Sequence, residues 1–250
     1  MAPRVTPREV AVAPVIGWRQ WYARQAATYG QGSHKIFAGP TQSGKTLLCR
    51  KVARLRNYVV VFGTKPVDPS LDAYVAEGYV RIDHWPPTKK DYDKAVGWSP
   101  PNEARFILWP VIKSREELRA FADAYRKCMD EVFIEGKWCI VVDEGLWMAS
   151  NKGLGLGDTM GELAYGSASN KVNLYVLCQR LSNVGPIVWT SAEEALVFKS
   201  GRTADMRELA SLGTYEPKDV QAAVRRLHGH QFLDVPCRGM AEWSISEVEL

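Results

Sequence analysis

Long apolar runs are missing from this 250-residue chain. No stretch approaches the roughly 18 uninterrupted apolar residues that suggest a membrane-spanning helix, so the sequence predicts no transmembrane segment. Residues 1–17 contain three prolines and lack the continuous apolar segment of a signal peptide. The sequence therefore predicts neither membrane insertion nor export.

Disulfide and zinc frameworks are missing as well. The five cysteines are an odd number, are widely spaced and form no C-x-x-C pair. Three of them stand in apolar surroundings, which indicates reduced thiols in the core of a cytosolic protein. His228 and His230 lie near Cys237, but no second ligand pair has a suitable spacing for zinc. There is also no G-x-S-x-G motif and no convincing Cys/His pair, so nucleophilic catalysis has no candidate.

Charge of one sign is not in large excess. The chain has 32 Lys and Arg against 28 Asp and Glu, a formal net charge of +4, which is compatible with a polyanionic partner but does not indicate one. With 46% hydrophobic and 24% charged residues the composition is that of a folded globular protein.

What the sequence does have is an alternation of apolar strands and amphipathic helices. Strands are expected at 35–39, 58–62, 79–82, 105–109, 138–142, 173–178 and 195–198, with a terminal hairpin of 232–235 and 243–245. Helices are expected at 17–29, 45–55, 114–135, about 160–167, 203–212 and 217–227. Strands that alternate with helices predict an α/β fold with a mainly parallel central sheet flanked by helices.

A phosphate-binding loop follows the first strand and opens the next helix. The segment matches G-x-x-x-x-G-K-[ST] and consists of Gly39, Pro40, Thr41, Gln42, Ser43, Gly44, Lys45 and Thr46. Its glycines let successive N–H groups face an anion, and the helix N-terminus adds partial positive charge. Lys45 is expected to reach the β and γ phosphates, and the Thr46 hydroxyl is expected to bind Mg²⁺. Gln42 stands where many such loops have glycine.

Two adjacent carboxylates end the strand at 138–142. This arrangement matches a Walker B motif, in which Asp143 would bind Mg²⁺ and Glu144 would polarise the water that attacks the γ-phosphate. A solvated acidic turn after a core strand is the alternative interpretation.

A third strand, 173–178, also ends in polar residues. Ligands on open α/β sheets gather at the carboxyl ends of the strands, so Gln179 is placed to sense the γ-phosphate or to orient the attacking water. Arg180 and Arg202 are candidates for a cation donated across a subunit boundary. An exposed polar strand end and ordinary surface arginines stay open as alternatives.

Together, GPTQSGKT, VVDEG, LYVLCQR and ALVFKSGRTADMRELASLG resemble the FtsK/HerA superfamily of nucleic-acid-pumping ATPases over most of residues 35–213. Within it the chain is similar to small phage or viral genome-packaging ATPases. The resemblance implies a RecA-like P-loop NTPase domain, here residues 31–250, preceded by an arm and a short helix in residues 1–30. It also implies a homo-oligomeric ring, usually a hexamer, with ATP and Mg²⁺ as cofactors and DNA threaded through the pore.

The expected function is therefore ATP hydrolysis coupled to DNA translocation, as in phage or viral genome packaging. It would take place in the host cytoplasm or in association with the virion, with a portal-type docking partner. Two other classes stay open. One is an assembly or secretion factor, resembling Zot, that changes shape with nucleotide and moves no DNA. The other is a small-molecule kinase, against which the adjacent Asp143 and Glu144 argue.

Overall fold

A computed structural model describes residues 13–28, 32–96, 103–111, 113–166, 169–181, 186–200, 203–212, 215–237 and 242–249. The strands are β1 (Lys35–Ala38), β2 (Tyr58–Phe62), β3 (Val80–Ile82), β4 (Ala104–Leu108), β5 (Trp138–Val142), β6 (Asn173–Cys178), β7 (Glu194–Phe198), β8 (Gln231–Pro236) and β9 (Ser244–Glu247). The helices are α1 (Trp18–Thr28), α2 (Lys45–Ala53), α3 (Pro69–Ala76), α4 (Lys89–Val96), α5 (Arg115–Ala120), α6 (Ala122–Glu135), α7 (Gly145–Ala149), α8 (Gly157–Gly166), α9 (Pro186–Ser191), α10 (Thr203–Leu212) and α11 (Pro217–Arg226).

The described strands form one sheet of nine, in the order β3-β4-β2-β5-β6-β1-β7-β8-β9. β1 to β7 pair in parallel, whereas β8 and β9 add an antiparallel hairpin beside β7. Residues 14–16 reach the far edge, where the N–H of Ile16 donates to the carbonyl of Ile245 at 2.9 Å. The predicted α/β fold with a mainly parallel central sheet is confirmed.

Both faces of the sheet are covered, because successive side chains of a strand point to opposite sides. In β2, Val59 and Val61 belong to a core cluster with residues of α1, α2 and α3, whereas Val60 and Phe62 belong to a second cluster with α6 and α8. This double coverage is the reason that the strands read as continuous apolar runs.

The long helix predicted for 114–135 is divided at Phe121 into α5 and α6. The backbone at Phe121 has φ −77° and ψ −8°, far from the α-helical ψ of about −42°. Ser114 caps α5, since its hydroxyl accepts from the N–H of Glu117 at 3.1 Å. In a standard capping box the Glu117 carboxylate would accept from the backbone N–H of the cap residue, Ser114. Here it accepts instead from the N–H of Lys113, one residue earlier, at 2.8 Å.

Four short helices are additional to those that the sequence predicted: α3, α4, α7 and α9. α3 and α7 are the next elements after β2 and β5, and their first residues line the candidate site. Within the described ranges, no helix has the length and apolar character needed to cross a membrane. The five cysteines are all free thiols, four of them buried, as expected.

Candidate nucleotide-binding and catalytic site

A cleft of about 760 Å³ opens at the carboxyl ends of the parallel strands β2, β5, β6 and β1. Neighbouring parallel strands end at the same edge of a sheet, so residues from distant parts of the chain meet there. The cleft is lined by Thr41–Leu47, Lys65, Asp68–Ser70, Asp143–Leu146, Leu177–Arg180 and His230.

The phosphate-binding loop connects β1 to α2, as predicted. Gly44, directly before α2, has φ 103°, a left-handed conformation that favours glycine. A Cβ on Gly39 would lie 2.7 Å from the Cβ of Phe198 in β7, so the first glycine is required by the close approach of a neighbouring strand. Gln42 also has a positive φ, 64°, although it is not glycine. The loop thus uses three special backbone positions to curl in front of the α2 N-terminus.

Lys45 closes this loop on itself. Its ammonium donates to the Pro40 carbonyl at 2.7 Å, across the mouth of the loop. Burial lowers the pKa of Lys45, and the nearby carboxylates of Asp143 and Glu144 offset part of that effect. Lys45 therefore lies where an anion bound by the loop N–H groups would contact it.

Asp143 and Glu144 follow β5 and face the same cleft, where an unpredicted cation joins them. The Lys65 ammonium lies 3.3 Å from Oδ2 of Asp143, 3.0 Å from Oε1 of Glu144 and 3.5 Å from Oδ2 of Asp68. Burial lowers the pKa of Lys65, but the three carboxylates outweigh that effect and raise it above its usual value. Burial raises the pKa of the Asp143 carboxyl, which Lys65 only partly offsets.

Glu144 has a left-handed backbone, with φ 67° and ψ 51°, directly before α7. For a residue with a Cβ this conformation costs about 1–2 kcal/mol. It turns the chain from β5 into α7, whose first residues, Gly145 and Leu146, line the cleft together with the Glu144 carboxylate. Backbone strain of this kind is concentrated at functional sites.

Gln179 and Arg180, directly after β6, are exposed and line the cleft. The loop and this strand end are joined, since the N–H of Gly39 donates to the carbonyl of Cys178 at 3.2 Å. Arg202 lies outside the described residues.

The carboxylate pair can hold a cation, because the Lys65 ammonium already lies between its oxygens. Thr46 and Asp143 line the same cleft and offer the hydroxyl and carboxylate oxygens that Mg²⁺ prefers. Nowhere in the described ranges do three or more His, Cys, Asp or Glu side chains form a complete metal cage. The Thr46 hydroxyl and the Asp143 carboxylate fit Mg²⁺, which is commonly held by one or two carboxylates together with substrate phosphates.

Sequence reasoning missed three residues that line the cleft: Lys65, Asp68 and His230. Asp68 carries a local signal, because Asp68-Pro69-Ser70 is a helix start, and its carboxylate accepts from the Ser70 N–H at 3.0 Å. Lys65 and His230 belong to no motif. His230 Nδ1 lies 3.3 Å from the Ser43 carbonyl, a contact between residues 187 positions apart.

Neither a protein-family model nor a curated protein sequence matches the chain. Its fold does match solved structures. The genome packaging NTPase B204 of Sulfolobus turreted icosahedral virus 2, in complex with AMP, has a TM-score of 0.57 at 14% identity, over 87% of this chain and 98% of that one. The same protein with ATP-gammaS has a TM-score of 0.58 at 14% identity, over 88% of this chain and 99% of that one.

VirB4 of Thermoanaerobacter pseudethanolicus has a TM-score of 0.59 at 11% identity, over 87% of this chain and 89% of that one. The cytoplasmic domain of the Type VII secretion ATPase EccC of Thermomonospora curvata has a TM-score of 0.56 at 15% identity, over 87% of this chain and 25% of that one. The chain, which brings a phosphate-binding loop and paired carboxylates to one sheet edge, shares the fold of these proteins, as its sequence resemblance implied.

Proposed function

We propose that this protein is an ATPase that converts ATP and water to ADP and phosphate. The observation that carries the proposal is the meeting of the phosphate-binding loop residues Thr41–Thr46 with Asp143 and Glu144 in one cleft. These residues lie about 100 positions apart in the chain. A phosphate-binding loop and a carboxylate pair are the two parts that hydrolysis of a bound triphosphate requires.

The loop would hold the triphosphate. Its N–H groups and the α2 N-terminus face the phosphates, and Lys45 moves its ammonium from the Pro40 carbonyl to the β and γ phosphates. The Thr46 hydroxyl and the Asp143 carboxylate would hold Mg²⁺. When bound, Mg²⁺ supplies charge neutralisation for the phosphate oxygens.

Glu144 would act as the general base, taking a proton from the attacking water at a carboxylate oxygen. Gln179, across the cleft at the end of β6, would orient that water or sense the γ-phosphate. Arg180 and Arg202 are the candidates for a cation supplied to the site of a neighbouring subunit, where it would stabilise charge in the transition state.

We further propose that hydrolysis drives DNA translocation, in the packaging of a phage or viral genome. The fold shared with the packaging NTPase B204 over 98% of that chain supports this. In this proposal the protein is a ring, usually a hexamer, in which Lys and Arg side chains of several subunits converge on one channel. It would act in the host cytoplasm or at the virion, with a portal-type docking partner.

The test is ATP turnover by the purified chain with and without DNA, together with the mass of the assembled particle by native mass spectrometry. The proposal expects phosphate release that DNA stimulates, and a closed oligomer. Absence of phosphate release with Mg²⁺ and DNA present would contradict ATPase function.

A second candidate is an assembly or secretion factor that changes shape with nucleotide and moves no DNA. The fold shared with the secretion ATPase EccC supports it. A monomer whose turnover is indifferent to DNA would favour this candidate. Product analysis separates both from a small-molecule kinase, which would transfer the phosphoryl group to an acceptor other than water.

A further inference from the structure

Lys65 lies at the carboxylate pair because of strand register. β2 and β5 are neighbours, with Phe62 opposite Val142 at their last residues. A residue shortly after β2 therefore lies beside the residues that directly follow β5. This places the Lys65 ammonium within hydrogen-bonding distance of Asp143 and Glu144.

The backbone that carries Lys65 is held on both sides. The indole N–H of Trp109, which is buried, donates to the Lys65 carbonyl at 2.7 Å. Two residues earlier, the Tyr125 hydroxyl donates to the Gly63 carbonyl at 2.5 Å. Asp68, at the end of the same loop, caps α3. The loop backbone is thus anchored at Gly63, Lys65 and Asp68, which fixes the position from which the Lys65 side chain reaches the carboxylates.

The carboxylates beside Lys65 require a nearby cation. The side chains of Asp68 and Asp143 are only 8% and 16% exposed, and carboxylates with so little access to water require a nearby positive charge. Lys45 is engaged with the Pro40 carbonyl, whereas Lys65 contacts all three carboxylates. The Lys65 side chain is itself 42% exposed, so the ammonium would be hydrated by water if it left the carboxylates.

We propose that Lys65 is a positioning residue that serves as the resident counter-cation of Asp143 and Glu144 and competes with free divalent metal for them. Lys65 would leave the carboxylates when metal and triphosphate bind together, because the negative charge of the triphosphate would give its ammonium a new partner in the same cleft. This inference rests on the proposed ATPase function, which assigns the two carboxylates their roles.

The experiment measures Mn²⁺ binding to the full chain, without nucleotide, by electron paramagnetic resonance. Wild-type protein is expected to bind Mn²⁺ weakly. Lys65→Met removes the competing charge, and we expect at least a tenfold lower dissociation constant. Lys65→Arg keeps the charge and should bind like wild type. The matched control is Lys94→Met, which removes an exposed lysine of α4 and should also leave binding unchanged.

A second uncharged variant, Lys65→Gln, keeps the test decisive if the methionine variant does not fold, and circular dichroism establishes the fold of each. Mn²⁺ affinity equal to wild type in the folded uncharged variants would show that Lys65 does not compete with metal. Tenfold tightening that also occurs in Lys65→Arg would show a steric effect and would equally overturn the inference.

Failure of this inference can be distinguished from failure of the proposed function. Metal binding without nucleotide reports on Lys65 and the carboxylates alone, whereas phosphate release reports on the ATPase. If the uncharged Lys65 variants bind Mn²⁺ more tightly but the protein never releases phosphate, the ATPase function is refuted and the counter-cation role of Lys65 is supported. If the protein releases phosphate normally but the variants bind Mn²⁺ like wild type, the counter-cation role is refuted and the ATPase function is supported.

Discussion

The imidazole of His230 lies against the phosphate-binding loop, with Nδ1 3.3 Å from the carbonyl oxygen of Ser43. His230 directly precedes β8, the strand that brings the terminal hairpin beside β7. The hairpin therefore contacts the same loop that would hold the phosphates.

Gly44→Ala is expected to destabilise the protein and to weaken nucleotide binding, because the new side chain would crowd His230. A Cβ at position 44 would lie 3.1 Å from His230 Nδ1 and 3.3 Å from Cε1 of Phe198, on a backbone with φ 103°. The left-handed conformation alone costs about 1–2 kcal/mol for alanine. Urea unfolding should show a loss of at least that size, and a fluorescent ATP analogue should bind more weakly. The double variant with His230→Ala should remove only the close contact between the new Cβ and the imidazole. It should therefore restore part of the lost stability.

Glu144→Gln is expected to abolish most ATP hydrolysis while ATP binding is retained. The amide keeps the size of the side chain but cannot accept a proton from water, so phosphate release should fall by at least about 100-fold. ATP should still bind, whereas Lys45→Ala should weaken ATP binding itself. Filter binding and phosphate release measure the two steps. Glu116→Gln, at an exposed position of α5, is the control. Wild-type turnover by Glu144→Gln would refute its role as the base.

Gln42→Gly is expected to stabilise the protein. Gln42 has φ 64° and its side chain is exposed, so glycine removes backbone strain and little packing is lost. Relief of about 1–2 kcal/mol is partly offset by the greater freedom of glycine in the unfolded chain, which leaves a net gain of up to about 1 kcal/mol. Gln42→Ala retains the strain and should give no gain. A thermal melt in which both variants behave alike would contradict this account.

Lys35→Met is expected to destabilise the fold without touching the cleft. Lys35 is 1% exposed and forms an ion pair with Glu194, its register partner in β7. Burial lowers the pKa of Lys35 to about 7, and the charge of buried Asp234 opposes this shift. Removing one charge of a buried cluster typically costs about 3–5 kcal/mol.

Urea unfolding measures that loss, and the double variant Lys35→Met with Glu194→Leu provides its control. The double variant should recover part of the stability, since the carboxylate that faced the Lys35 ammonium is gone as well. A loss below about 1 kcal/mol in the single variant would show that the cluster contributes little.

Much of the fold could be predicted from the sequence, because its strands are continuous apolar runs between polar turns. β2, β5 and β6 begin and end at the predicted residues, and β3 lies at a sheet edge as expected. The short helices α3, α4, α7 and α9 were missed, since one or two turns are too few for an apolar periodicity. The division of the long helix at Phe121 was missed because its apolar stripe continues through the break. The predicted domain boundary at residue 30 and the roles of the site residues stay predictions.

The sequence by itself determined the pieces whose residues are neighbours in the chain: the phosphate-binding loop before α2, the carboxylate pair after β5 and the polar end of β6. Their chemistry is local, so spacing and residue type suffice to predict them. Only the tertiary structure decided which pieces meet. The contact of Lys65 with Asp143 spans 78 positions and depends on β2 lying beside β5, and the contact of His230 with Ser43 depends on the hairpin joining β7. Strand order is set by packing and crossover connections over the whole chain, which no local pattern encodes.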